Sequence, residues 1–146
     1  MPSAPHDPVP AAEVARHGSG AQELIGYRLD LSGADGAGRV VLDIEPRHLN
    51  RNGTLHGGIV AMMLDVASGF AVARSAPTPG LGSTATVSLS THYVAPARSG
   101  RVVATGRVTG GGRTIAYTQA ELHDAEGALC ASAAGVFRRI LPKGRP

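Results

Sequence analysis

Alternating polar and apolar positions dominate the second half of the chain. Over residues 84–94, TATVSLSTHYV, Ala85, Val87, Leu89, Thr91 and Tyr93 fall on one side. Thr86, Ser88, Ser90 and His92 fall on the other, which predicts a strand closed by Pro96. Residues 101–108 and 113–123 flank three glycines at 110–112 and read as a hairpin. DAEG at 124–127 is another turn, and 128–139 is the last strand. In the first half the pattern predicts a strand over 24–32, LIGYRLDLS, and a turn over 32–38, SGADGAG. A second strand over 39–45 is stopped by Pro46. The polar loop RHLNRNGT then leads into the longest apolar run, 55–73, which APTPG at 76–80 ends.

That run, LHGGIVAMMLDVASGFAVA, predicts a helix about 27 Å long. Ile59, Met63, Val66 and Phe70 form one stripe, yet Val60, Leu64, Ala67 and Ala71 are apolar too. A helix apolar nearly all round should be nearly all buried. One sheet covers only one side, so a strongly curved sheet would wrap it and a partner subunit would cover the rest. Asp65 near its centre argues against a membrane span, at a cost of roughly 2.5–3.5 kcal/mol. One helix and a run of strands define an α+β domain.

Composition narrows the classes. The chain has 146 residues, which suits a single domain. We expect a leader over 1–20, with a short helical turn in AAEVARH, a domain over 21–141 and a tail over 142–146. Hydrophobic residues reach 42% and charged residues 17%, which excludes disorder. Cys130 is the single cysteine, so no internal disulfide exists and a reducing compartment is expected. It reads as a small core residue rather than a nucleophile. MPSAPHDPVP at the start holds no apolar run of the secretory kind, so a cytoplasmic location is expected. Net charge is +3, and of 14 basic residues only Lys143 is lysine. With five aromatics and no recognition motif, a small phosphate-bearing ligand fits this charge better than nucleic acid.

The candidate chemistry is concentrated in two places. Asp65 is the only charged side chain between Arg51 and Arg74. It either reaches solvent or a neighbouring loop, or serves as a general base or nucleophile. His56-Gly57-Gly58 stands at the helix start, behind Asn50-Arg51-Asn52-Gly53-Thr54. It is either an ordinary turn with Thr54 as N-cap or a site where helix N–H groups receive a substrate oxygen. Gly57 and Asp65 lie eight residues apart, about 12 Å along one helix. A base must come within about 3 Å of the group it acts on. If both act on one bond, they come from two subunits.

Weaker signals are set aside. GLGSTA at 80–85 leads into a strand, so it is no dinucleotide fingerprint. No G-x-S-x-G is present. His48 and His56 lack metal-ligand spacing, so no metal or cofactor is expected. Thr86 and His92 share one strand face and either line a site or are solvated. Arg113 after the glycine turn reads as a solvated hairpin residue.

Residues 48–69, HLNRNGTLHGGIVAMMLDVASG, resemble the hotdog-fold acyl-CoA thioesterases of the phenylacetate-pathway, PaaI-like type. The shared pattern is Asn50, Gly53, His56-Gly57-Gly58 and Asp65; THYVAPA at 91–97 and the closing strands also match. The resemblance covers about 20–140 and implies a five- or six-stranded antiparallel sheet around the long helix. It implies dimers, often paired into tetramers, with sites between subunits. It further implies that the Gly57 N–H and Asn50 polarise a thioester carbonyl. Asp65 of the other subunit would activate water or attack directly, Thr86 would hold the water, and His56 would support the site. Acyl-CoA is the implied substrate. Gly58 and Ser68 are expected beside it, with Arg113 and the Arg138–Arg139 pair as candidates for its phosphates. Small side chains at Ala61, Ser68 and Gly69 suggest room for an aryl or medium-length acyl group. A non-catalytic acyl-CoA or acyl-carrier binding protein and an enoyl-CoA hydratase are the alternatives. Neither nucleic acid nor membrane is expected as partner.

Overall fold

Two residues that the alternation at 24–32 conceals set the first element. The Ser19 side chain accepts from the Gln22 N–H, and Gly26 takes a left-handed φ of 84°. Between these caps lies a short helix, α1 (Gly20–Ile25), which takes Leu24 and Ile25 from the expected strand over 24–32. Only Arg28–Asp30 is extended, as β1.

The computed structural model describes residues 18–77 and 81–141. The expected helical turn in the leader and the tail at 142–146 lie outside them. After β1 come β2 (Gly38–Asp43), a 3-10 turn (Pro46–His48) and the long helix α2 (Gly57–Arg74). Then follow β3 (Ser83–Tyr93), β4 (Arg101–Gly111), β5 (Ile115–His123) and β6 (Leu129–Ile140). The strands form one six-stranded sheet in the order β1-β2-β4-β5-β6-β3. Every pairing is antiparallel. This is the curved sheet around one helix that the resemblance implied.

Strand β5 along its length, and β4 as far as Gly106, bury every second residue, so one face packs on α2 and the other is turned toward solvent. The helix approaches β2 and β4 closely because Gly38 and Gly106 lie beneath Ala67. Its buried stripe is Val60, Met63, Leu64, Ala67 and Ala71. The expected stripe differs: Met63 is buried, but Ile59, Val66 and Phe70 are only half-buried. With apolar residues all round, periodicity does not say which side meets the sheet. The sheet glycines decide it, because they let that side approach.

The expected faces of β3 are corrected as well. The register with β6 shifts between Thr86 and Ser88, leaving Val87 as the extra residue of a bulge. Thr86 bonds to α2, and beyond the bulge the helix-facing set is Leu89, Thr91 and Tyr93. Thr86 and His92, expected together, fall on opposite faces.

Arginine–carboxylate clusters pin the β1–β2–β4 end. Hydrogen bonds from Arg39, reinforced by Arg107, hold Asp35 well below the usual carboxylate range. Arg101 and Arg28 lower Asp43 in the same way. A carboxylate lowered in the folded state adds stability above its unfolded value of 3.8, and this is lost as pH falls through the folded value. Both acids are more than a third exposed, so the loss is modest, about 1 kcal/mol. The melting temperature should therefore fall on acidification below about pH 4, and less steeply in Asp43→Asn.

Candidate active site

The loop before α2 is built on a buried histidine. His48 is 1% exposed; its Nδ1 accepts from the Glu45 N–H at 3.0 Å, and its Nε2 donates to the Ile25 carbonyl at 2.8 Å. One neutral imidazole thus ties the 3-10 turn to α1. His48→Ala should lower stability by about 2 kcal/mol, read as a shift in the denaturant midpoint, because it orphans a donor and an acceptor. Sequence reasoning weighed His48 only as a metal ligand and missed this role.

Asn50 is engaged within the next turn. Its Oδ1 accepts from the Asn52 and Thr54 N–H groups, and its Nδ2 donates to the Thr54 Oγ1 at 2.9 Å. Thr54 is therefore a partner of Asn50 and not the helix cap. The cap is His56, whose Nδ1 accepts the Gly58 N–H at 2.9 Å. This leaves a specific pattern of open donors. The Ile59 and Val60 N–H groups bond to the His56 carbonyl. Gly58 is taken by the His56 ring, so among the described residues the Gly57 N–H is the first-turn donor with no protein acceptor. It stands at the positive end of the helix dipole. Sequence reasoning expected both glycines to offer their N–H groups, and the histidine cap removes one.

Strand β3 hydrogen-bonds to α2 at two points. The Tyr93 hydroxyl donates to the Gly57 carbonyl at 2.7 Å, fixing the helix start. Its signal in the sequence was its place in THYVAPA, with no role attached. The Thr86 hydroxyl donates to Asp65 Oδ1 at 2.7 Å. The expected pair of Asp65 and Thr86 is thus brought together, with Asp65 half-buried and Thr86 exposed.

A cavity of about 390 Å³ opens beside this pair. Helix α2 lines it with Asp65, Gly69, Phe70 and Ala73, and the sheet with Thr86 and Phe137. Ser68, expected beside the substrate, lies outside it: the side chain is fully buried on the sheet side, and its Oγ has no partner among the described residues. Arg113 and Arg138 are exposed at the end of the β4–β5–β6 sheet. Arg139 serves the fold instead, donating to the Val72 carbonyl and to Ser75 Oγ at the end of α2. Cys130 is buried, and burial raises its thiol pKa, which fits a core residue.

A carboxylate held by a hydroxyl donor in the wall of a cavity can bind a water and take its proton, or attack a carbonyl carbon. An open N–H at a helix start can receive the oxygen on which charge develops. Within one chain these two parts are separated by eight residues of α2, about 12 Å.

These are the parts of a hotdog-fold thioester hydrolase. The chain belongs to the thioesterase superfamily, whose family model matches residues 52–131. Human acyl-coenzyme A thioesterase 13 is 32% identical over 103 residues, which is 69% of this chain and 71% of that protein. The aligned stretches span from 45% to 72% of the curated relatives' own lengths. The crystal structure of BH2602 from Bacillus halodurans with CoA superposes at TM-score 0.78 with 26% identity, covering 88% of this chain and 83% of that one. A variant of the phenylacetic acid degradation protein PaaI from Thermus thermophilus superposes at TM-score 0.72 with 27% identity, covering 84% and 100%.

Proposed function

We propose that this chain hydrolyses the thioester of an aryl- or medium-chain acyl-CoA to the free acid and CoA. The observation that carries this reading is the Thr86–Asp65 hydrogen bond of 2.7 Å in the lining of the cavity. The thioester carbonyl is received by the Gly57 N–H of one subunit. Asp65 of the other subunit, oriented by Thr86, activates the water or attacks the carbonyl carbon. The CoA-bound neighbour and the acyl-CoA thioesterase relative support the substrate class. Arg113 and Arg138, exposed and with unengaged guanidinium groups among the described contacts, remain the candidates for the CoA phosphates.

The sheet supports this subunit arrangement. β3 is an edge strand of 11 residues and makes both the Thr86–Asp65 and the Tyr93–Gly57 hydrogen bonds to α2. An unpaired edge of this length is a template for pairing with another chain. Pairing two copies of β3 would bring a second α2 toward the site, and dimers could pair further into tetramers. The test is thiol release from phenylacetyl-, hexanoyl- and acetyl-CoA, with enoyl-CoA hydration followed in parallel. Thiol release supports the reading. Hydration without thiol release, or acyl-CoA binding without turnover, contradicts it.

A further inference from the structure

Several glycines in this fold have an evident steric reason. A Cβ at Gly38, Gly106 or Gly135 would lie between 2.1 and 2.7 Å from other heavy atoms. Gly69 is different. It sits in the interior of α2, where glycine is less stable than alanine. A Cβ there would meet Phe137 Cε1 and Thr84 Oγ1 at 3.5 Å each, ordinary van der Waals contact. Its φ is not positive either. Alanine therefore fits the backbone and the space, and would strengthen the helix.

What glycine preserves at this position is the cavity. Gly69 lines it one helical turn beyond Asp65, and Ala73 follows one turn later. These three positions run about 12 Å along one face of α2, with Phe70 and Phe137 as apolar walls. The lane begins at the carboxylate and passes over the one residue of the three that has no side chain. Resting on the acyl-CoA thioesterase reading, we propose that Gly69 is the specificity-determining residue for acyl-group size. The acyl group lies along the α2 face from Asp65 toward Ala73, and its apolar body occupies the space that a side chain at 69 would fill. The sequence thus gives up helix stability for room in the binding lane.

The experiment compares Gly69→Ala with wild type in kcat/KM for hexanoyl-CoA, phenylacetyl-CoA and acetyl-CoA, with melting temperature and oligomeric mass followed alongside. One methyl group in an apolar lane is expected to lower the hexanoyl-to-acetyl ratio of kcat/KM at least about tenfold. The melting temperature should rise by about 2–4 °C, as removal of a helix-interior glycine requires. Gly69→Leu should lower the ratio further. An unchanged ratio, or an equal loss on all three thioesters, overturns the proposal. So does a fall in melting temperature or oligomeric mass, which would assign Gly69 to packing. Wild type inactive on every thioester overturns the acyl-CoA reading and this proposal with it; wild-type turnover with an unaltered Gly69→Ala profile overturns this proposal alone.

Discussion

Asp65→Asn should lower kcat for thioester hydrolysis by about a thousandfold, with the fold and oligomeric state intact. The substitution is nearly isosteric, and the amide oxygen still accepts from the Thr86 hydroxyl, so the local geometry at α2 and β3 survives. What disappears is the negative charge that takes a proton from water or attacks the carbonyl carbon. Asp65 is half-buried and contributes to no core cluster, so stability is not expected to depend on it. Steady-state kinetics beside a thermal melt checks both halves of the expectation. The size of the loss also bears on mechanism. A base can be partly replaced by solvent water, whereas a nucleophile cannot, so complete loss favours covalent attack. Single turnover in 18O-labelled water adds a one-way test: label in the Asp65 carboxylate establishes a mixed anhydride opened by water at the aspartyl carbon, whereas a general base leaves Asp65 unlabelled and puts the label in the product acid.

The second large effect concerns the fold. Gly106→Ala should destabilise the protein by about 3 kcal/mol, read from chemical denaturation. A Cβ at this position would lie 2.5 Å from the Ala67 carbonyl carbon and 2.6 Å from the Ser68 nitrogen. These are helix backbone atoms, which cannot swing aside as the end of a long side chain can. Gly38→Ala should cost at least as much, because its Cβ would lie 2.1 Å from the Ala67 carbonyl oxygen. Both substitutions push on the same residue of α2, so relief of one clash by moving the helix relieves part of the other. The double variant should therefore lose less than the sum of the two. Both should also reduce activity, since a shift of α2 moves Asp65 away from Thr86.

Much of this architecture was legible in the sequence. The length and hydrophobicity of the helix segment and the β4–β5 hairpin reflect local physics and recur in the structure, although the hairpin turn falls at 112–114, because Gly110 and Gly111 pair within β4. The Asn50, His56-Gly57-Gly58 and Asp65 pattern pointed to the candidate site, and the pairing of Asp65 with Thr86 follows from where α2 and β3 cross. What escaped the reading has identifiable causes. The alternation at 24–32 looked like a strand because the helix caps Ser19 and Gly26 were not weighed against it. The bulge at Val87 inverts the face of every later β3 residue, and nothing in TATVSLSTHYV announces an extra residue. Ser68 looked like a lining residue because its side chain is small, but the 100° of helical rotation that separates it from Gly69 sends it into the core. The His56 cap was hidden because histidine is a rare choice where serine, threonine or aspartate are usual.

The central claim is that the helix start of one subunit and the carboxylate of another act on one thioester. Gly57→Pro removes the oxyanion donor, and Gly57→Ala, which keeps the N–H, controls for the approach of a Cβ to the Tyr93 ring at 3.3 Å. Proline lacks the N–H, suits the first position of a helix, and follows a residue already extended at ψ 131°. The measurement is thiol release by mixed dimers of Gly57→Pro and Asp65→Asn, each nearly inactive alone. In a hybrid dimer, one site then combines an intact Gly57 with an intact Asp65, and the other carries both defects. Random mixing makes half of the dimers hybrids, so activity should recover to about a quarter of wild type. No recovery, with hybrid formation verified by mass, would mean that both groups act within one chain and would contradict the account.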